Sequence, residues 1–311
     1  MSLNTTRQPT SFAASLAADD LTHLEQARRA APRMRLADEH LADECEELDT
    51  GESAPAVRLC DTPLFQHYIE SLLSGDRPAC RRVVEQAIEC GVDAERMLLE
   101  LCWPAMEAIR QLYKDARVSL AAEHMATRLN RATVDRITGE LPAQPSNGRK
   151  AMVVCGDAQG EELGGQIVAD LFEAQGYEVK FLGGGIPLDE TNHLVGLWQP
   201  DLLVQFATLP TEMPQVRTLI DHLREHNSAP QMQVMCCGGI YKRAPGLGEE
   251  VGADLVATDA ADAVRMAEEN RGVRATARQQ TVGRNRRDRV TKEKRALRQQ
   301  AAEARRIRKA A

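Results

Sequence analysis

Apolar positions recur along this chain with two different rhythms. Between Asp61 and about Glu140 they return every three or four residues. Leu64, Tyr68 and Leu72 share one helical face, and Leu98, Cys102, Met106, Ile109 and Leu112 share another. Breaks at "SGDRP", "CGVD" and "KDARVS" divide the region into four helices with short connections, which predicts a small four-helix bundle over 61–140. The stretch "LPAQPSNGRK" interrupts every period and reads as a linker.

From Lys150 short apolar runs alternate with amphipathic segments: "AMVVC", "YEVKFLG", "DLLVQF", "QVMCCGG" and "DLVATD". That alternation predicts an α/β domain over 150–270, a doubly wound parallel five-stranded sheet of flavodoxin-like or Rossmann-like type. Ligands of such sheets gather at the C-terminal ends of the strands. The first of those ends is "GDAQGEELGG", rich in glycine and carboxylate.

Charge separates the ends of the chain from its middle. The net charge is −7, yet residues 271–311 hold fifteen Lys/Arg against three acids, a net of +12 that leaves −19 for the rest. Residues 1–60 carry the acid-rich "ADEHLADECEELDTGES" and are expected to be a leader with at most a short helix. The basic tail, most concentrated over 284–309, lacks an apolar stripe and reads as a solvated helix or disordered arm. Such a run would touch nucleic acid only nonspecifically, through phosphates, or else touch the acidic body.

Composition narrows the class. With 43% apolar and 27% charged residues and no apolar run of about 18, the chain is expected to be globular, cytoplasmic and not membrane-spanning. Its eight cysteines form no C-x-x-C pair, so reduced thiols are expected rather than a zinc ribbon or redox motif.

Several ligand classes fail on spacing. The glycines at 156, 160, 164 and 165 do not make G-x-G-x-x-G, and no G-x-x-x-x-G-K-[ST] occurs. A phosphorylation receiver needs an aspartate at the end of the third strand, where this chain has Phe206-Ala207-Thr208. The remaining loops, "FLGGGIPLDE", "FATLPTEMP" and "CCGGIYKRAPG", offer small residues that leave room for a broad, flat ligand.

Together with the preceding bundle, these loops resemble the cobalamin-binding modules of corrinoid methyl-carrier proteins, methionine synthase and light-sensing cobalamin-dependent regulators, over about residues 62–270. The resemblance implies that the bundle caps the upper face of a corrin ring and the sheet domain takes its lower face and nucleotide tail. "IRQLYKDARVSLAAEHMAT" is similar to the light-sensor cap signature W-x9-E-H, with Tyr113 in the tryptophan position ahead of Glu123 and His124. By that resemblance, these three residues would line an adenosyl group and His124 would be a conditional cobalt ligand. It also implies roles in the lower face and tail site for Gly160, Glu161, Leu163, Gly164, Gly184, Pro187, Thr208, Gly238 and Gly239.

The sequence departs from the family's lower-face motif D-x-H-x-x-G. Gln159 stands in the aspartate position and Glu161 in the histidine position, and Phe206 replaces a serine two places before Thr208. A neutral imidazole suits a transition metal better than a carboxylate does. The expected cofactor is therefore cobalamin, as adenosylcobalamin, held without that ligand, with haem as the alternative tetrapyrrole. The first functional reading is a non-enzymatic sensor acting on transcription through a protein partner or the basic tail. Its alternatives are a corrinoid methyl-carrier subunit of a methyltransferase system and a ligand-free interaction module, either as a homo-oligomer or not.

Overall fold

The computed structural model describes residues 58–156 and 159–276. The leader up to residue 57 and the tail from 277 lie outside the described residues, so the expectations placed on them stand as sequence readings.

The N-terminal half is the expected bundle. Helix α1 (Pro63–Ser74) and α2 (Arg77–Glu89) are followed by a third rod, made of α3 (Ala94–Met97), a π-helical turn at Leu98–Cys102 and α4 (Trp103–Lys114). Helix α5 (Leu120–Thr138) completes it. Side chains cap the starts: Asp76 accepts from the Ala79 amide, Asp93 from Arg96 and Ser119 from Ala122. At the centre, buried Asn130 donates to the Cys102 carbonyl at 2.9 Å and accepts from the Tyr68 hydroxyl at 2.9 Å. The π turn changes which carbonyls are free, and a side chain from the neighbouring helix takes one of them.

The linker is pinned rather than loose. The Gln144 amide donates to the Ala174 carbonyl and the Asn147 amide to Gly176. The chain then enters β1 (Lys150–Cys155), α6 (Gln159–Ala174), β2 (Glu178–Gly183), α7 (Leu188–Trp198) and β3 (Leu202–Phe206). It continues through α8 (Met213–His226), β4 (Gln233–Cys237), the short α9 (Gly239–Arg243) and α10 (Leu247–Val251), β5 (Leu255–Ala257) and α11 (Ala260–Glu269). All neighbouring strands are parallel, in the order β2-β1-β3-β4-β5. This is the doubly wound, flavodoxin-like arrangement the sequence predicts.

Alternate residues of each strand serve opposite faces. Val153, Val204, Phe206, Met235 and Cys237 join α6, α11 and the bundle in one continuous core, whereas Met152, Val154, Leu203, Val234 and Cys236 pack with α7 and α8 in another. The bundle thus stands against one face of the sheet domain, through α6. Among the described residues Cys60, Cys80, Cys102, Cys155, Cys236 and Cys237 are free thiols. Among the described residues no helix is long and apolar enough to cross a membrane.

Candidate functional site: the cleft between bundle and sheet

Helix α4 of the bundle lies over the C-terminal ends of the strands, and the space between them is a cleft of about 390 Å³. Its roof is α4, through Met106, Glu107, Arg110, Gln111 and Lys114. Its floor is Gly160 at the start of α6, Thr208 after β3, and Gly239, Lys242 and Arg243 of α9. Three residues expected from the sequence, Gly160, Thr208 and Gly239, therefore meet in one place although they come from three loops.

Beneath the floor lies Glu161, 0% exposed. Its Oε1 accepts a hydrogen bond from the Thr208 hydroxyl and faces Arg110 Nη2 at 3.5 Å. Burial pushes its carboxyl above the usual range, an effect opposed by Thr208 and Arg110. Its second oxygen, Oε2, and Arg110 Nε are buried without a hydrogen-bond partner. Arg110 belongs to the bundle and Glu161 to the sheet domain, so this ion pair also ties the two modules together.

The expected tail slot is filled. Phe206 ends β3, is fully buried, and meets Trp103 of α4 edge-on with centroids 5.8 Å apart and planes at 83°. A Cβ on Gly164 would overlap its ring, and one on Gly238 would lie 3.2 Å from it. Gly164 and Gly238 thus make room for the Phe206 ring, whereas the resemblance implies a nucleotide tail beside them. Gly238 has φ +121° and a Cβ there would also strike the Ala207 carbonyl, so glycine is required on backbone grounds as well. Thr208 spends its hydroxyl on Glu161 rather than offering it to a tail. Leu163 is a core residue, 0% exposed.

The remaining expected residues lie elsewhere. Tyr113 is 41% exposed near the end of α4, and His124 Nε2 is 3.6 Å from Glu123 on the first turn of α5. None of the three lines the cleft. His124 is a partly exposed neighbour of Glu123, and the roles the resemblance implies for Tyr113, Glu123 and His124 remain expectations. Pro187 lines a second cavity of about 510 Å³ on the opposite face of the sheet, beside Gly183, Gly185, Thr191 and Gln205, while Gly184 lines neither. Among the described residues no group of three or more His, Cys, Asp or Glu is arranged to hold a metal ion.

The residues can be tested against a corrinoid. They do not fit the arrangement in which a protein histidine holds cobalt and the nucleotide base enters the protein: the histidine position holds a buried, ion-paired glutamate, and the slot holds Phe206. Haem lacks an axial histidine in the cleft lining for the same reason. The open cleft with its small-residue floor does fit a flat ring laid between the modules.

Comparison with known proteins agrees on the two modules. Two family models, each described as a B12 binding domain, match residues 64–138 and 149–267. The dimethylamine corrinoid protein 2 of Methanosarcina acetivorans is 25% identical over 208 residues, which is 66% of this chain and 95% of that protein. The monomethylamine corrinoid protein 2 of Methanosarcina mazei is 23% identical over 217 residues, 67% of this chain and 98% of the other. The solved structure of the Methanosarcina barkeri monomethylamine corrinoid protein superposes with a TM-score of 0.59 at 20% identity, covering 66% of this chain and 97% of that one, a likeness of fold.

Proposed function

Because the chain belongs to the B12-binding family, with the helical cap and the Rossmann-like domain both present, we propose that it is a non-enzymatic corrinoid-binding protein of the carrier type. It holds the ring in the cleft between α4 and the strand ends and presents it to a partner protein. The observation that supports this best is the meeting of Gly160, Thr208 and Gly239 on one floor under α4.

A bound corrinoid would supply a cobalt centre able to hold an exchangeable ligand. The protein's own contribution is to shape the cleft, with the Arg110–Glu161 ion pair beneath its floor. Glu161 is a poor substitute for imidazole toward cobalt, because a carboxylate is a harder donor and its Oε1 is already engaged by Arg110 and Thr208. On that side the protein would offer a bound corrinoid the Arg110–Glu161 pair and the Phe206 ring, and no imidazole.

The names of the relatives favour a carrier in methyl-group metabolism over a transcriptional sensor. The adenosyl ligand loses its support as well, since Tyr113, Glu123 and His124 lie away from the cleft lining. A methylated or aquated corrinoid fits this reading better, with a methyltransferase as partner.

The test is retention of methylcobalamin after desalting, followed by anaerobic photolysis, which cleaves the Co–C bond homolytically to Co(II) and a methyl radical, and spin-resonance spectroscopy with protein labelled in histidine with ¹⁵N. The expected result is one retained corrinoid whose nitrogen splitting is unchanged by the label. A splitting that changes with the label would give cobalt a protein histidine and overturn the proposed lower side, and absence of any retained corrinoid would overturn the binding reading.

A further inference from the structure

One buried polar side chain is only half used by the fold. Strand β3 reads "LLVQF" and is buried along its whole length, yet its fourth residue is Gln205, 6% exposed. Its neighbours Val204 and Phe206 point into the core shared with the bundle, so Gln205 points to the other face, beside Val154, its register partner on β1. There its Nε2 donates to the Phe206 carbonyl at 3.2 Å, while among the described residues its Oε1 accepts nothing. An acceptor so enclosed and left without a donor costs free energy that a ligand's N–H would offset.

Gln205 is also a wall of the cavity of about 510 Å³ on that face, a size within the range of about 300–1,000 Å³ found for small-molecule sites. The cavity lies at the C-terminal ends of β1 and β3, neighbouring strands whose following helices, α6 and α8, pack on opposite faces of the sheet. Doubly wound sheets take ligands in the crevice at that switch point. Among the described residues it shares no lining residue with the cleft under α4. Val154, Leu188, Val216 and Leu219 give it an apolar body, and the loop carrying Gly183 and Gly185, both at φ +74°, frames its mouth.

Apart from the exposed Gln215, the polar groups of the lining are one-sided. The Thr191 and Thr218 hydroxyls already donate to the carbonyls of Pro187 and Pro214. Glu212 brings a carboxylate, set so close over the end of β1 that a Cβ on Gly156 would strike it. Among the described residues no Lys, Arg or His lines the cavity. Acceptors and a negative charge beside an apolar body suit a cation that carries N–H donors.

We propose that this second cavity is a binding site for a small organic cation, an amine or amidine on an apolar body, whose N–H groups meet Gln205 and Glu212. The assignment goes beyond the corrinoid reading and does not depend on it.

The experiment titrates the full chain with three probes of one shape, followed by ligand-observed NMR: benzamidine, a cation with N–H donors; benzamide, the neutral amide; and benzoate, an anion without donors. Benzamidine is expected to bind about tenfold or more tighter than benzamide, the scale of a hydrogen bond to a charged acceptor, with benzoate weakest. Glu212→Gln keeps the shape, removes the charge and should bring benzamidine down to the level of benzamide. Gln205→Leu, shown to be folded by its urea transition, should weaken both. Benzoate binding as tightly as benzamidine, a preference for benzamidine that survives Glu212→Gln, undiminished affinity in folded Gln205→Leu, or no binding by any probe would each overturn the assignment. Corrinoid retention is measured separately, so the two readings fail separately.

Discussion

Phe206 shows how one residue sets the character of the site. In the resemblance drawn from sequence its position belongs to a serine, and the neighbouring glycines to a ligand. In the fold its ring occupies the gap at Gly164 and Gly238 and carries the contact onward to Trp103 of the bundle. Removing it opens the slot and deletes that bridge. Phe206→Ala is expected to destabilise the protein by about 3–5 kcal/mol, the range for a buried phenyl replaced by alanine, measured by urea unfolding. If the loss is below about 1 kcal/mol, the ring is not the filling of this core. Glu161 works at the same scale. It was legible in sequence as a departure from histidine, but its partner Arg110 lies 51 positions earlier, on an element of the other module. No local pattern announces an ion pair between residues so far apart.

At the scale of elements, periodicity served well. The 3.6-residue rhythm of 61–140 and the strand runs after Lys150 follow from burying one face of each element, so they survive into the fold as four helical rods and five parallel strands. The cap signature is a different kind of signal, because a match in spacing between Tyr113 and Glu123–His124 says nothing about the rotation of α4 and α5 relative to the cleft. The cations of the cleft were equally hidden: "YKR" after the fourth strand was visible, but its pairing with Arg110 and Lys114 depends on α4 crossing above it. A further element-level feature, the π turn at Leu98–Cys102, has no sequence signal of its own, and Asn130 is what holds it. Asn130→Ala would leave the Cys102 carbonyl and the Tyr68 hydroxyl without their buried partner. The expected loss is about 2–3 kcal/mol, read as a lower urea midpoint with an unchanged slope. A variant as stable as the parent would show that water or a shifted helix satisfies these groups.

Across the whole molecule, the joint between bundle and sheet domain carries a titrating group. Asp170 of α6 accepts from the Thr138 hydroxyl of α5 at 2.9 Å. Its carboxyl is pushed from 3.8 up to about 6 by burial, with Glu173 and Asp135 adding to the rise and the Thr138 and Gln166 side chains opposing it. A group whose folded value exceeds its unfolded one binds its proton more tightly in the folded state, so its stabilising contribution is fully present below about pH 4 and is lost as pH rises through 6. Asp170→Asn keeps an oxygen acceptor for Thr138 and removes the charge. It should therefore stabilise the protein at pH 7 to 8 by about 1–2 kcal/mol, after allowing for solvent around this partly exposed group, and should change nothing near pH 4. Denaturant unfolding of both proteins across that range decides the matter. Curves that converge at low pH and separate between 4 and 6 place the titration at the joint; parallel curves would mean that the ionised carboxylate is solvated there and that the two modules are held together without regard to pH, by Arg110–Glu161 and the Phe206–Trp103 contact.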